Sequence, residues 1–241
     1  MDASSKGIGA VLLQQEHPVA YASKALTATQ QNYAQIEKEM LAIVYGCTKF
    51  PDYIFGMPTV ELKTNHKPLE MILKKPLHQA PPRLQKMIMM IQKYPVTVKY
   101  RPGKELVVAD TLSRAYLTDK ECLPAKADFE VNVIHTLPIF ERCLKRLQEE
   151  TLQDLALQHL KSTVKSGWPE KKNEISTAIS PYWNCRDEIS THNEIMFKGA
   201  KVIVPKSMHS EMLHAIHSSH LGMEKCKQRA RDILYWPGMC K

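Results

Sequence analysis

Long apolar runs are missing from this 241-residue chain. None approaches the roughly 18 to 20 consecutive apolar residues that a membrane-crossing helix needs, and no basic start leading into an apolar core marks a secretory leader. The expectation is an intracellular protein, cytoplasmic or nuclear, with no membrane partner. Cysteine is sparse. Cys47, Cys122, Cys143, Cys185, Cys226 and Cys240 show no framework spacing, which fits reduced thiols and excludes the small cystine-stapled secreted classes. No long repeat and no low-complexity tract is present, so neither a solenoid nor a compositionally disordered chain is expected. The length allows two small domains, the first large enough for its own core.

Carboxylates in the first half carry the chemistry. Metal-assisted phosphodiester hydrolysis needs hard oxygen ligands converging from several elements onto one or two divalent ions. Asp2, Glu39 and Asp110 are placed to supply them. GAVLLQ (9–14) and VAYAS (19–23) are short β-compatible runs separated by Glu16, His17 and Pro18, which predicts a hairpin with Asp2 at its start. From about residue 30 to 50 the apolar period becomes helical, with Ile36, Met40, Ile43, Val44 and Cys47 on one face. That spacing puts Glu39 at the edge of the buried face and turns Glu37 away from it. Residues 59–64 alternate as a strand ending at Asn65, just before a short helix opened by Lys67 and Pro68; strand ends of α/β folds are where ligands usually bind. Asp110 follows Leu106 and Val107 at helical spacing and borders an apolar face.

Several longer words point further: DASSKGIGAVLLQ (2–14), PVAYASKALT (18–27), NYAQIEKEMLAIVYG (32–46), KTNHKPLEMILKKP (63–76), APPRLQKM (80–87) and YRPGKELVVADTLSR (100–114). Over its first 116 or so residues the chain resembles the ribonuclease H domain of a gypsy-type LTR retrotransposon polyprotein. The resemblance implies an α/β, ribonuclease H-like mixed sheet with flanking helices, and Mg2+ (or Mn2+) bound at the positions held here by Asp2, Glu39, Asn65 and Asp110. Asn65 departs from the family pattern, which has Asp before His-Lys-Pro-Leu. An amide offers only a neutral oxygen, so metal occupancy is expected to fall, because paired divalent ions about 4 Å apart repel and need anionic ligands. The mobile His of cellular ribonucleases H has no counterpart; Tyr100 and Arg101 stand in that region. Relatives also carry residues ahead of the Asp-Ala-Ser that complete the first strand, and a reverse transcriptase before them. Only Met1 precedes it here, so a shortened strand and a less stable domain are expected.

The charge balance fits a polyanionic partner. The chain is +8 overall; residues 1–116 hold 15 Lys and Arg against 9 Asp and Glu, the remainder 18 against 16. Lys74, Lys75, Arg83, Lys86, Lys93, Lys99 and Arg101 fall within a segment containing a single acid and are the candidate phosphate contacts. With the resemblance, an RNA–DNA hybrid becomes the expected partner, read by groove shape and 2′-hydroxyls.

Beyond Arg114 the pattern changes. Residues 117–137 read as a linker and 139–165 as a packing helix, so that 117–180 joins the first domain to a last unit at 181–241. YWNCRDEIS (182–190), EIMFKGAKVIVPKSM (194–208) and IHSSHLGMEKCKQRARDILYWPGM (216–239) resemble the small hairpin and zinc-binding helices that open a retroelement integrase. His217 and His220 match its His pair, while no Cys-x2-Cys follows to complete a Zn2+ site. The resemblance places an integrase core downstream. Two functions follow as expectations: hydrolysis of RNA in hybrids, impaired by Asn65 and the short first strand, or a noncatalytic remnant that binds nucleic acid or protein.

Overall fold

The computed structural model describes residues 1–116, 141–217, 228 and 230–239. The chain forms two compact units, 1–131 and 132–241. The linker expected at 117–137 lies outside the described residues, as do His220, Cys226 and Cys240 and the side chain of His217.

The first unit is mixed α/β. Strand β1 (Asp2–Ala3) pairs antiparallel with β2 (Gly7–Gln14), which pairs antiparallel with β3 (His17–Ala25). The expected hairpin is there, but its turn is tighter than the sequence suggested: Gln15 and Glu16 take positive φ, 51° and 64°, and His17 and Pro18 belong to β3. A two-residue turn with both central residues left-handed matches the twist of the strands it joins. Strands β4 (Val60–Thr64) and β5 (Val96–Tyr100) make a separate parallel pair. Between the two sheets, the Met1 amino group donates to the carbonyl of Lys63 at 2.9 Å.

The helical segment divides. A capping box built on Thr27 and Gln30 closes the short helix α1 (Ala28–Gln31), and α2 (Gln35–Lys49) starts afresh after Ala34. Ile36, Met40, Ile43, Val44 and Cys47 are all buried, as their period requires. Glu37 is a correction: it is fully buried rather than turned away. The short helix α3 (Pro51–Ile54) follows. Helix α4 (Lys67–Ile72) carries Pro68 in its first turn, where the missing N–H costs nothing. Helix α5 (Pro82–Ile91) packs Leu84, Met87, Ile88 and Ile91 inward against α2. Helix α6 (Val107–Arg114) lies directly on β2. It can do so because Gly7 and Gly9 have no side chain: a Cβ on Gly9 would sit 2.5 Å from the Ala109 carbonyl oxygen.

The second unit carries α7 (Glu141–Gln153) and α8 (Leu155–Ser166), joined at Asp154. The single helix expected over 139–165 is thus two. The Asp154 carboxylate caps α8, accepting from the backbone N–H groups of Ala156 and Leu157. Strand β6 (Ile189–His192) pairs antiparallel with β7 (Ile195–Lys198) where a hairpin was expected, and β8 (Lys201–Ile203) and β9 (Leu234–Tyr235) extend the sheet. Leu147 of α7 enters a core with Phe197, Val202, Met208, Leu234 and Trp236, so the helical stretch packs into this unit. A final described helix, α9, spans His209–His217.

Candidate active site

Strand β1 delivers Asp2 to the centre of the first unit, 2% exposed. Its two carboxylate oxygens are both engaged. Oδ1 accepts from the Asn65 side-chain amide at 2.7 Å, and Oδ2 accepts from the Ser113 hydroxyl at 2.7 Å. Asn65 reaches Asp2 because it follows the last residue of β4, beside the site where Arg101 N–H bonds the Thr64 carbonyl and holds the β5 end in register. Ser113 reaches it because α6 rests on Gly7 and Gly9. Its hydroxyl also lies 2.8 Å from the Asp110 carbonyl.

Glu39 of α2 is 3% exposed. Gln35, one turn earlier, donates its side-chain amide to Glu39 Oε1 at 2.8 Å and to the Ala3 carbonyl at 3.1 Å, tying α2 to β1. Glu39 Oε2 is buried without a hydrogen-bond partner. Burial, and after it the negative charge of Asp2, push the Glu39 carboxyl up to about 8. Asp2 and Glu39 thus meet in the interior as two acids of like charge, with the Met1 ammonium as the positive group acting on both, and hard oxygen donors so placed suit a divalent cation.

Asp110 is more open. It lies in the first turn of α6, with Oδ1 accepting from Arg114 Nε at 3.0 Å and Nη2 at 2.8 Å. The structure therefore joins Asp2, Asn65 and Glu39 closely and leaves Asp110 one turn of helix away, held by an arginine. Among the described residues, no three His, Cys, Asp or Glu side chains come together at metal-ligating spacing. Beside Asp2 stands Asn65, an amide whose nitrogen faces the carboxylate.

The basic candidates divide. Lys74, Lys75, Lys86, Lys93, Lys99 and Arg101 are exposed. Lys74 pairs with Glu70, Lys99 with Glu61 and Arg101 with Glu105. Arg83 is a correction: it is 7% exposed, its Nη1 bonds both Glu37 oxygens at 2.8 and 2.7 Å, and its guanidinium lies 4.0 Å over the Tyr33 ring. It clamps α5 to α2 and is not available to a phosphate. Sequence reasoning missed Ser113, Gln35 and Arg114. Gln35 and Arg114 stand four residues from Glu39 and Asp110, a spacing that could have found them; Ser113 depends on the α6–β2 contact and had no such signal.

This arrangement sits in a recognisable lineage. Residues 1–94 match the family described as the RNase H-like domain found in reverse transcriptase, and residues 204–241 match the integrase zinc binding domain. The chain is similar to the retrovirus-related Pol polyproteins of the Drosophila melanogaster transposons opus and gypsy. Identity to opus is 42% over 117 residues, covering 47% of this chain and 12% of that polyprotein. Identity to gypsy is 32% over 164 residues, covering 66% and 16%. A transposon Tf2-3 polyprotein from Schizosaccharomyces pombe is 28% identical over 166 residues, 66% of this chain and 12% of its own length. The chain thus spans a small part of the curated relatives it matches. No solved structure matches it significantly. Residues 1–94 are an RNase H-like domain of the reverse-transcriptase kind, and the matched part of the chain resembles the Pol polyproteins of gypsy-type retrotransposons.

Proposed function

We propose that the amino-terminal unit is a ribonuclease H-type site for metal-dependent endonucleolytic hydrolysis of RNA in RNA–DNA hybrids, attenuated in this chain by Asn65. The observation that carries the reading is the partnerless buried Oε2 of Glu39 beside Asp2. Asp2 and Glu39 would hold Mg2+ or Mn2+, and Asp110 would join them once Arg114 lets go. The bound ions would supply an activated water and neutralise the leaving oxygen. Asn65 can offer its carbonyl only by turning its amide over and giving up its bond to Asp2. The exposed lysines and Arg101 would hold the hybrid's phosphates. In a Pol polyprotein this piece would lie between reverse transcriptase and the integrase core, and His217 and His220 of the integrase-type segment would contribute to Zn2+ binding.

A noncatalytic reading has its own observation: both Asp2 oxygens accept from neutral donors and Asp110 from an arginine, so most of the site's oxygens already have hydrogen-bond partners within the chain. Cleavage of a labelled RNA–DNA hybrid, in Mg2+ and in Mn2+, beside the Asn65→Asp variant, separates the two. Weak cutting by the unmodified chain and stronger cutting by the variant is the expected result. No cutting by either, with salt-sensitive hybrid binding that needs no Mg2+, would replace the nuclease reading by the binding one.

A further inference from the structure

Ser113 lies fully buried in the last turn of α6, next to the carboxylates but with no charge of its own to offer them. A serine inside a helix gives its proton by default to the carbonyl three or four residues back, and the Asp110 carbonyl is within reach at 2.8 Å. Asp2 Oδ2 lies closer, at 2.7 Å. A hydroxyl has one proton to donate, and a bond to a charged acceptor is roughly twice as strong as one to a neutral acceptor. The proton therefore goes to the carboxylate, against the local habit of the helix.

The backbone behind that hydroxyl is held as well. Ser4 donates its own hydroxyl to the Ser113 carbonyl at 2.7 Å and accepts from the Gly7 N–H at 3.0 Å, which fastens the end of α6 to the connection between β1 and β2. Gly7 leaves the room for it, since a Cβ there would sit 2.5 Å from that same carbonyl. Ser113 is thus a fixed point, and the Asp2 carboxylate is oriented by it. The other donor on Asp2, the Asn65 amide, can present its carbonyl only by letting Asp2 go. Among the described residues, Ser113 is then the remaining side-chain donor on that carboxylate.

Resting on the ribonuclease H-type reading of this site, we infer that Ser113 is a positioning residue: its hydroxyl holds the Asp2 carboxylate in the orientation in which Asp2 and Glu39 offer oxygens to a divalent ion, and ties it to the helix that carries Asp110. Ser113 touches neither ion nor substrate. It acts through Asp2, as hydrogen bonds to metal-ligating groups do when they fix the ligand's orientation.

The test is Mn2+ binding to the folded full chain, read from the loss of the free-ion electron paramagnetic resonance signal, in the unmodified protein and in Asn65→Asp, each with and without Ser113→Ala. Binding that Glu39→Gln abolishes is binding at this site. Ser113→Ala is expected to weaken it about tenfold in both backgrounds. Ser4→Ala, which loosens the same helix end without touching Asp2, is expected to lower Tm and leave the Mn2+ Kd nearly unchanged. Should Ser113→Ala not fold, Ser113→Cys, which fills the space with a weak donor, carries the same prediction in smaller degree. Equal Mn2+ affinity with and without the hydroxyl, or an equal loss in Ser4→Ala, would overturn the inference and leave the ribonuclease H-type reading standing. No Glu39-dependent Mn2+ binding in either the unmodified chain or Asn65→Asp would remove that reading, and the inference with it.

Discussion

One hydrogen bond, from the Asn65 amide to Asp2 Oδ1, fixes the contact at the centre of the site. An aspartate at 65 could not donate it. Two carboxylates would then face each other, with buried Glu39 adjacent. Asn65→Asp should therefore cost about 2–4 kcal/mol in the presence of a chelator, read as a lower Tm, and recover much of it in Mg2+ or Mn2+ while gaining hybrid cleavage. A loss of stability that metal does not restore would mean that the new carboxylate is not a ligand. Glu39 gives a pH signature. Its folded-state carboxyl is raised from an ordinary 4.5 to about 8 by burial and by Asp2. The stability it contributes is present in full below pH 4.5 and is lost as pH rises through 8, because the unfolded chain gives up the proton first. Metal-free protein should thus lose stability across that window. Glu39→Gln should flatten the slope and raise Tm at pH 8 by several degrees. An unchanged pH profile in the variant would show that the carboxyl is not what titrates.

At the scale of elements, α2 and α5 are joined by a buried ion pair that a linear pattern could not show. Periodicity put Glu37 outside because an isolated α2 would expose it, and charge counting put Arg83 among the phosphate contacts because its sequence neighbours are basic. The two meet across 46 positions, roofed by Tyr33. Removing one partner of such a pair leaves a buried charge uncompensated, so Arg83→Met should destabilise by about 3–5 kcal/mol. Equilibrium denaturation would measure it, with Glu37→Gln/Arg83→Met together expected to cost less than Arg83→Met alone. What was legible follows the same line. The α2 core face, the β4 strand and the short α4 came from local period and punctuation and stand where expected, whereas Asp2 lies in its own strand β1 rather than at the start of the hairpin, and Glu39 is buried outright rather than at the edge of the buried face. The Gln15–Glu16 turn was misplaced by two residues because Pro18 was read as a turn former, although an edge strand tolerates it. The break at Asp154 carried a signal, an N-cap aspartate, that the apolar period of 139–165 overrode. The resting state of Asp110 was not legible, since spacing reveals Arg114 as a neighbour without saying that it competes for the carboxylate.

For the whole molecule, residues 1–116 carry +6 of the net +8 (15 Lys and Arg against 9 Asp and Glu), and hybrid binding should fall with salt in proportion to the phosphates neutralised. Replacing Lys74, Lys75 and Lys86 together by glutamine should reduce the slope of log K against log salt by about two to three, whereas Arg83→Gln should lower stability and leave the slope alone. Filter binding over a salt series would distinguish them; an unchanged slope in the triple variant would move the interface to Lys93, Lys99 and Arg101. The two units have separate cores, so a mutation in one should shift its own melting step only. The antiparallel sheet and the parallel pair of the first unit are linked by the Met1 amine on Lys63, by Lys63 on Glu16 and by Asn65 on Asp2. One of these links is thus made by the residue that departs from the family pattern: Asn65, a poor ligand, is a good fastener.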